Sequence, residues 1–371
     1  METHAAILWE ESRTAWSVEP IELDPPKAGE VLVRMAASGL CHSDEHFLTG
    51  DLPGALPMIG GHEGAGIVEE VGPGVTRVAP GDHVVFSFIP SCGICPMCAQ
   101  GHANLCDVGA VLMRGRQMDG ASRHHARGQD LSAMACLGTF AEHTVVNEKS
   151  CVKIVEDIPL DLACLVGCGV TTGFGSSVWA AEVGMGDNVA VIGAGGIGSA
   201  AIQGARIAGA ERIFAVDPVP FKRESAVGFG ATHTAASVEE AKGLIEEVTW
   251  GRMCDKVICA MGVGRGSMMA DIMAITAKRG RVVVTNIHPI FEMDVTVNLC
   301  DLTLMEKQIV GSIFGSGSAQ YAIPKILELH REGQFDLGAM VTATYKLGDV
   351  NQGYQDMRDG KNIRGVLVFD G

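Results

Sequence analysis

The sequence predicts an α/β protein in which a mostly β part is followed by a doubly wound parallel sheet. With 371 residues, the chain exceeds what one hydrophobic core usually supports, which favours two domains. Up to about Val155, short β-branched runs alternate with Gly and Pro, whereas from Leu162 apolar runs alternate with alanine-rich helical stretches. The 48 glycines and 5% aromatic residues suit many tight βα turns, and repeated β-α-β units imply a parallel sheet with both faces covered.

Each element follows from a local pattern. In the first part, β-branched runs predict strands of a mostly antiparallel sheet at residues 31–33, 66–71, 83–88 and 142–146. In the second part, apolar runs predict parallel strands at 188–192, 212–216, 256–259, 281–285 and 308–311, with helices between them. The tail is expected to form helices around 326–331 and 350–358 and a last strand at 365–369. The uncharged stretch 162–181 is interpreted as buried turns because it is rich in glycine and hydroxyl residues.

Charge and cysteine content narrow the function. The chain has 28 basic and 44 acidic residues, a formal charge of −16, which disfavours binding to nucleic acids and to anionic membranes. The first residues lack a basic segment followed by an apolar one, so we expect no signal peptide and a reduced, cytoplasmic compartment. In such a compartment the 12 cysteines are expected to be metal ligands or buried thiols, not disulfides.

A glycine-rich segment, G-x-G-x-x-G, lies between a predicted strand and a predicted helix. Gly193 permits a tight turn, Gly195 lets a pyrophosphate approach the backbone, and Gly198 allows the helix to pack on the strand. Asp217 ends the next strand and can accept hydrogen bonds from both ribose hydroxyls, while its charge repels a 2′-phosphate. Because Pro218 and Val219 supply no cation, the pattern favours NAD over NADP; the alternative is a glycine-rich turn that binds no nucleotide.

Four cysteines form a C-x2-C-x2-C-x7-C pattern in a loop that contains Gly and Pro. They are Cys92, Cys95, Cys98 and Cys106. Four thiolates close a tetrahedral zinc shell, which predicts a structural zinc that holds together a lobe without its own core. An iron–sulfur cluster also uses four thiolates, but the ferredoxin spacing is absent. Another metal or free thiols remain the alternatives.

A second metal site is suggested by dispersed residues. Cys41 opens the segment Cys-His-Ser-Asp-Glu-His, His62 lies in Gly-Gly-His-Glu-Gly-Ala-Gly, and Cys168 lies in Gly-Cys-Gly-Val-Thr-Thr-Gly. Three protein ligands leave the fourth position of a zinc ion for water or substrate, as in catalytic sites. Each residue alone is more often a packed side chain than a ligand.

These segments, together with Lys361-Asn-Ile-Arg364, closely resemble the zinc-dependent medium-chain alcohol dehydrogenases, in order and over nearly the whole chain. The resemblance implies a GroES-like, mostly β catalytic domain at 1–169 that includes the structural-zinc lobe. It implies a Rossmann NAD-binding domain at 170–313 and a return to the catalytic domain at 314–371. It further implies a homodimer or homotetramer and a small-molecule alcohol or aldehyde as substrate, with zinc as Lewis acid and NAD as hydride acceptor.

Residue roles follow from the same resemblance. Cys41, His62 and Cys168 hold the catalytic zinc, with Glu63 beside it and Asp44 in support. Ser43 takes the proton of the alcohol, and His46 relays it to solvent. The implied cofactor contacts are His42, Thr172, Gly193, Gly195, Gly196, Ile197, Gly198, Asp217, Lys222 and Arg364. The implied substrate-pocket positions are Leu52, Phe88 and Arg123.

Two subgroups of this family are candidates. The segments 63–66 and 119–123 resemble glutathione-dependent formaldehyde dehydrogenases, in which an arginine like Arg123 binds a substrate carboxylate; Asp51 fits that subgroup, but Pro53 stands where a second acid is expected. The segments 123–130, 217–223 and 249–253 resemble bacterial nicotinoprotein alcohol dehydrogenases assayed with N,N-dimethyl-4-nitrosoaniline. The second resemblance is the one we favour. It implies that NAD(H) stays bound and is reoxidised in place, through a redox carrier of the mycofactocin type.

Other interpretations remain open. A freely exchanging NAD-dependent alcohol dehydrogenase is the nearest one, and a non-enzymatic zinc protein that senses redox state is one of a different class. The cysteines outside the two groups share no ligand spacing and are interpreted as buried or semi-buried thiols: Cys136, Cys151, Cys164, Cys254, Cys259 and Cys300. The pair His124-His125, flanked by arginines, is expected to be solvated or to bind an acid.

Overall fold

The computed structural model of the protein describes residues 1–10, 12–289 and 292–370, without the side chains of residues 12 and 13. The chain folds into two compact units. The first consists of residues 1–168 and 318–371, and the second of residues 169–317. The first unit is mostly β and the second is α/β, which confirms the predicted fold class.

The secondary structure runs along the chain in three stretches. The first stretch has the strands β1 (Glu2–Trp9), β2 (Ser12–Leu23), β3 (Glu30–Gly39), β4 (Met58–Ile59), β5 (Glu63–Val71), β6 (His83–Phe86), β7 (His124–Ala126), β8 (Gln129–Asp130), β9 (Ser132–Ala133), β10 (His143–Asn147) and β11 (Cys151–Lys153). Its helices are α1 (His42–Thr49), α2 (Pro96–Ala99) and α3 (Leu160–Ala163). The second stretch has the strands β12 (Asn188–Ile192), β13 (Arg212–Val216), β14 (His233–Ala235), β15 (Cys254–Cys259), β16 (Thr276–Val284) and β17 (Gln308–Gly311). Its helices are α4 (Gly169–Gly175), α5 (Gly196–Ile207), α6 (Pro220–Phe229), α7 (Val238–Val248), α8 (Met269–Ala274) and α9 (Leu299–Leu304). The last stretch has α10 (Ala319–Arg331), β18 (Val341–Tyr345), α11 (Val350–Arg358) and β19 (Arg364–Val368).

Two sheets form the first unit. One has the strand order β8-β7-β2-β1-β4-β9, and the other has the order β11-β6-β5-β3-β19-β18, with β10 also paired to β3. Apolar side chains such as Val33, Val84 and Phe86 are buried in a common core. The antiparallel pairing of β3 with β5 places Gly39 opposite Glu63. This register brings the segment that follows β3 next to the segment that precedes β5, and these segments carry Cys41 and His62.

The second unit is built around one six-stranded parallel sheet. Its strand order is β14-β13-β12-β15-β16-β17, the order of the dinucleotide-binding doubly wound fold. The strand order reverses between β12 and β15, so the connections that follow these two strands run in opposite directions and leave a crevice suited to a ligand. Side chains of the strands, among them Ile192, Phe214 and Val257, are buried beneath the helices. This burial on both faces explains why these strands have continuous apolar sequences.

The predicted elements of the second unit agree closely with the structure. The strands predicted at 188–192, 212–216 and 308–311 are β12, β13 and β17, while β15 and β16 begin earlier than predicted. The prediction of turns at 162–181 is wrong, because this stretch contains α3, α4 and a π-helical turn at Ser176–Ala180. The glycines here serve close packing: a Cβ on Gly173 would lie 2.0 Å from the carbonyl oxygen of Ile197 in α5.

In the described part of the chain, no helix by itself is long and apolar enough to cross a membrane. The consecutive segments 160–167 and 169–180 reach that length and composition only when taken together, and the chain bends between them.

Candidate functional site

The three dispersed residues predicted as zinc ligands converge in the first unit. The ligand atoms of Cys41, His62, Glu63 and Cys168 all lie within 4.8 Å of one another, and all four residues are buried. Cys41 directly precedes α1, His62 directly precedes β5, and Cys168 follows the short helical turn Cys164–Gly167. We call these four residues the buried centre. Two thiols, an imidazole and a carboxylate at this spacing form a donor set that suits Zn²⁺.

A carboxylate orients the imidazole of the buried centre. Oδ2 of Asp44 lies 3.2 Å from Nδ1 of His62, and Oδ1 of Asp44 accepts a hydrogen bond from the backbone N–H of Gly61 at 2.8 Å. Because Nδ1 faces a carboxylate, Nε2 is the atom of His62 left for a metal ion. Carboxylates in this position fix the tautomer and the orientation of ligating histidines.

Glu63 and Arg364 form a buried ion pair beside the same centre. The guanidinium Nη2 of Arg364 contacts Oε2 of Glu63 and also donates to the carbonyl oxygen of Leu40 at 3.0 Å. Burial raises the pKa of Glu63 to about 7, although the guanidinium of Arg364 opposes this shift. Arg364 was predicted to contact the pyrophosphate of the cofactor, and within the first unit its partner is Glu63.

The residues predicted to relay a proton lie on α1. Oγ of Ser43 is 3.6 Å from Sγ of Cys41, so the hydroxyl adjoins the buried centre. His46 is buried, and its Nδ1 lies 3.2 Å from Oδ2 of Asp51. Helix α1 ends at Gly50, whose φ of +80° turns the chain back toward the helix. The carbonyl oxygen of His46 then accepts from the backbone N–H of Leu52 at 3.1 Å.

Two predicted pocket positions are close to these groups. The ring of Phe88 meets the ring of His62 edge-on, with 5.9 Å between the ring centroids. Leu52 is half-buried and lies next to His46 through the backbone hydrogen bond described above. Apolar side chains at this distance can shape a pocket for the carbon chain of a substrate.

Arg123, the third predicted pocket position, has a different environment. Its guanidinium is 1% exposed and donates to both carboxylate oxygens of Glu30, at 2.8 and 2.7 Å. It also donates to Oδ2 of Asp119 at 2.6 Å and to the carbonyl oxygen of Ser122 at 3.0 Å. The expectation that Arg123 binds a substrate carboxylate is therefore wrong, because its donors are already bound to groups of the protein. The segment 119–123 thus supplies Arg123 and Asp119 to an ion-pair cluster within the protein.

The other four predicted cysteine ligands also converge, in a lobe of the first unit. The sulfur atoms of Cys92, Cys95, Cys98 and Cys106 lie within 4.8 Å of one another, and three of these residues are half-buried. The Sγ of Cys92 accepts from the backbone N–H groups of Ile94 and Cys95, at 3.5 and 3.3 Å. These bonds lower the pKa of Cys92 to about 6. Four sulfurs with backbone N–H donors suit a zinc site without an open position.

None of the 12 cysteines, all of which lie in the described part of the chain, forms a disulfide. Of the six that were expected to be thiols outside the metal groups, five are buried. Cys300 is the exception and is exposed.

The glycine-rich turn of the second unit has the geometry of a phosphate cradle. Gly193 has a φ of +95°, and a Cβ on Gly198 would lie 1.8 Å from the carbonyl oxygen of Gly193. By contrast, a Cβ on Gly195 would meet no atom within 4 Å, so this glycine leaves room beside the backbone. Gly196 begins α5 and Ile197 follows it, so free N–H groups at this end of the helix can bind an anion.

Asp217 lies directly after β13 and holds the same turn. Its carboxylate accepts from the backbone N–H groups of Ala194 and Val219, each at 2.9 Å. These bonds keep the side chain in place at the end of the strand, where ribose hydroxyls of a dinucleotide bind in this fold. Arg223 donates to the carbonyl oxygen of Asp217 at 2.7 Å, and this cation was not considered in the prediction of NAD.

The remaining predicted cofactor contacts are spread over the two units. In the second unit, Thr172 is buried in α4, and Lys222 is half-buried in α6. In the first unit, His42 is exposed at the start of α1.

Three residues contact α1 or the residue that precedes it, and the sequence analysis did not assign these contacts. Asp51 contacts the imidazole of His46, Arg358 donates to the buried Glu45 at 2.7 Å, and the hydroxyl of Tyr354 lies 3.5 Å from the carbonyl oxygen of Cys41. For Asp51 a signal existed, because an acid directly after a helix-ending glycine can reach the last turn of that helix. The contacts of Arg358 and Tyr354 join positions 313 residues apart and have no local signal.

Comparison with known proteins agrees with these sites. Residues 27–156 match the family described as alcohol dehydrogenase GroES-like domain, and residues 196–332 match the family described as zinc-binding dehydrogenase. Alcohol dehydrogenase B of Mycobacterium tuberculosis is 52% identical over 371 residues, covering 100% of this chain and 99% of the relative. The NDMA-dependent alcohol dehydrogenase of Amycolatopsis methanolica is 47% identical over 368 residues and covers 99% of both chains.

A solved structure of an alcohol dehydrogenase zinc-binding domain protein from Burkholderia ambifaria has the same fold. It is 32% identical, covers 100% of both chains and superposes with a TM-score of 0.94. The match to these relatives extends over nearly the whole chain. The chain therefore belongs to the zinc-dependent medium-chain alcohol dehydrogenases, oxidoreductases that work with zinc and a nicotinamide dinucleotide.

Proposed function

We propose that this enzyme oxidises a primary alcohol to the aldehyde with a tightly bound NAD, which an external acceptor reoxidises in place. The observation that carries the proposal is the convergence of Cys41, His62 and Cys168 next to Ser43, with His46 three residues further along the same helix. The 47% identical relative named as NDMA-dependent supports the part played by an external acceptor. We take this acceptor to be a small redox carrier of the mycofactocin type.

In this proposal, Cys41, His62 and Cys168 would hold a zinc ion that favours ionisation of the alcohol, and the glycine-rich turn would hold the NAD that takes up the hydride. The side chains of the centre serve as ligands: two thiolates and a neutral imidazole give the site no net charge with a divalent ion. Ser43 hydrogen-bonds to the substrate hydroxyl and passes its proton toward His46, because a serine hydroxyl is too weak a base to act alone. Phe88 and Leu52 supply the apolar wall that excludes water and holds the carbon chain.

The dinucleotide is held by the glycine-rich turn of the second unit. The N-terminus of α5 binds the pyrophosphate, and Asp217 with Lys222 binds the adenosine ribose. The preorganised carboxylate of Asp217, which two backbone N–H groups hold, supports the preference for NAD. The variant Asp217→Gly is expected to lose most of the discrimination against NADP in a fluorescence titration. If the variant kept the wild-type preference for NAD over NADP, a group other than Asp217 would have to set that preference. Arg223 also lies at this position, because it donates to the carbonyl oxygen of Asp217.

The retention of the cofactor has a direct test. Freshly purified protein is denatured, and the released dinucleotide is quantified by chromatography. We expect about one NAD(H) per chain. Protein that contains no dinucleotide and needs added NAD for turnover would contradict retention and would support the freely exchanging alternative.

The substrate class is tested by a panel of primary alcohols, each assayed with added NAD and with nitrosoaniline as acceptor. Activity with the acceptor and without added NAD supports the proposal. Formaldehyde with glutathione belongs in the panel, because it tests the glutathione-dependent alternative. We do not favour this alternative, since the donors of Arg123 bind Glu30 and Asp119 and residue 53 is a proline.

A further inference from the structure

A carboxylate at the surface contacts the imidazole assigned to the proton relay. Oδ2 of Asp51 lies 3.2 Å from Nδ1 of His46 and accepts a hydrogen bond from Oγ1 of Thr49 at 2.6 Å. His46 is 4% exposed, whereas the side chain of Asp51 is 42% exposed. Gly50 and the backbone bond from Leu52 to His46 make the tight turn that holds this arrangement. Asp51 therefore joins a buried imidazole to solvent.

The hydrogen bond determines which nitrogen of His46 is the acceptor. A carboxylate accepts a proton from Nδ1–H, so Nδ1 carries the hydrogen of the neutral ring and Nε2 carries the lone pair. Within the described residues, Nε2 of His46 is buried without a hydrogen-bond partner. Leaving a buried polar atom unpaired is costly, so an atom of this kind in a functional site points to a ligand or a substrate proton.

We propose that Asp51 is a positioning residue of the proton relay, which rests on the role of His46 in the proposed function. The carboxylate keeps Nε2 of His46 ready to accept the proton that leaves the alcohol through Ser43. It then stabilises the imidazolium, as the buried aspartate does in Ser-His-Asp triads, and remains ionised itself. For each alcohol oxidised, His46 takes up one proton and releases one to water. Asp51 thus stabilises the protonated ring of His46 at the solvent-exposed end of the relay.

The two other acids of α1 contact groups other than His46. On the same helix, Asp44 binds Gly61 and faces His62, and Glu45 is paired with Arg358 of α11. Asp51 is thus the acid whose carboxylate contacts the ring of His46. Its removal should therefore disturb proton transfer at His46 more than the removal of either of these neighbours would.

The test is the single-turnover rate of alcohol oxidation against pH, measured in the loaded enzyme through the absorbance of reduced nicotinamide. In Asp51→Asn we expect the rate to fall about tenfold. Oxidation requires the neutral imidazole, whereas the negative charge of a carboxylate next to the ring favours the protonated form. Loss of the carboxylate should therefore move the acid limb of the profile to lower pH. A purely structural loss would lower the rate and leave the limb in place.

A matched control lies elsewhere in the first unit. Nδ1 of His125 contacts Oδ1 of Asp130 at 2.9 Å, so Asp130→Asn removes a carboxylate from a histidine outside the site and should leave the profile unchanged. In a His46→Gln background, Asp51→Asn should cause no further loss, because the two residues act through one another. Additive losses, or an unmoved limb with an unchanged rate in Asp51→Asn, would overturn the proposal.

The same series separates this proposal from the proposed function. If His46→Gln oxidises alcohol at the wild-type rate, the relay itself is wrong. If His46→Gln is slow and Asp51→Asn is not, only the role of Asp51 fails. Zinc content and melting temperature are measured for every variant, so that a loss of metal or of folding is not mistaken for a loss of the relay.

Discussion

The two cysteine centres of the first unit use similar ligands in opposite surroundings. The four sulfurs of the lobe come from one segment of 15 residues, 92–106, are half-exposed for the most part and bond to backbone N–H groups. The ligands of the buried centre are spread from Cys41 to Cys168 and are surrounded by charged side chains. With a divalent ion, four thiolates carry a net charge of about −2, whereas two thiolates and an imidazole carry none.

This difference shows how burial limits the charge of a metal site. A net negative charge is tolerable near the surface, where water and N–H donors stabilise it, but is costly in the interior. The carboxylate of the buried centre, that of Glu63, is paired with the guanidinium of Arg364, so its charge is balanced in the interior. The lobe is thus suited to holding its fold together, and the buried centre to binding and polarising a substrate. Substitutions at the two centres should therefore have different consequences, and the effect on activity should be largest at the buried centre.

The largest effect is expected for Cys41→Ser. Loss of a thiolate ligand should remove zinc from the buried centre and lower alcohol oxidation by about a thousandfold or more, because the Lewis acid is lost. Zinc analysis should find one ion per chain where the wild type holds two, with a nearly unchanged melting temperature. The matched control is Cys164→Ser, a buried thiol whose Sγ bonds to the carbonyl oxygen of Asp161 at 3.3 Å. If Cys41→Ser kept normal activity, the division between the centres would be wrong.

Cys95→Ser should act on the lobe instead. It should also leave one zinc per chain, but limited proteolysis should now cut within the lobe, because the metal supplies the folding energy of a segment with little core of its own. Activity should fall less than in Cys41→Ser, since the ligands of the buried centre are untouched. Cys136→Ser is the control, because its buried thiol bonds to the carbonyl oxygen of Arg116 at 3.1 Å and is no ligand. An intact lobe in Cys95→Ser would contradict its structural role.

Asp44→Asn should weaken only the buried centre. The amide no longer stabilises the proton on Nδ1 of His62, so we expect about 10- to 100-fold weaker zinc binding or activity. Competition with a chelator should release zinc from this centre earlier than in the wild type, while the zinc of the lobe leaves at an unchanged concentration. The lobe thereby serves as an internal reference. Equal shifts at both sites would mean that Asp44 acts on general stability.

The sequence predicted the lobe and the parallel sheet well because their information is local. The four cysteines lie within 15 residues, and β12, β13 and β17 are apolar runs bounded by turns. The N-terminal strands β1 and β2 were not predicted. In β1 most residues are buried, so apolar and polar residues do not alternate as they do in a half-exposed strand. The sequence of β2 contains Pro20, and a proline by itself argues against a strand. The pairing of these two strands decides their structure.

The buried centre was identified through the resemblance, because no spacing joins Cys41, His62 and Cys168. The structure explains their proximity through the register of β3 with β5. The sequence could not show which charges face each other, so Arg123 was placed in the substrate pocket and the contact of Asp51 with His46 was missed. The surroundings of Arg123 and the contact of Asp51 with His46 both depend on which side chains are close in space, and local sequence patterns do not contain this information.

The cluster of Arg123, Glu30 and Asp119 contains charged side chains but no metal ligands. It therefore tests whether a buried charge in the first unit needs a partner even without a metal ion. Removing the guanidinium in Arg123→Ala leaves the buried carboxylate of Glu30 without its cation, with only the backbone N–H of Lys27 still donating to it, which is expected to cost about 3–5 kcal/mol of unfolding free energy. Chemical denaturation measures this loss. The control is Arg331→Ala. Arg331 pairs with Asp157 at the surface, so the loss of this ion pair should lower the unfolding free energy by only about 0–1 kcal/mol.

The activity of the same variant decides between the structural and the substrate-binding role of Arg123. Below its unfolding temperature, Arg123→Ala should keep two zinc ions and the wild-type KM for alcohols, because the guanidinium points to Glu30 and Asp119. A large rise in KM for substrates that carry a carboxylate, with unchanged stability, would restore the pocket role. The expected pattern, with low stability and unchanged KM, would instead show that buried charges in this unit need a partner even where no metal is held.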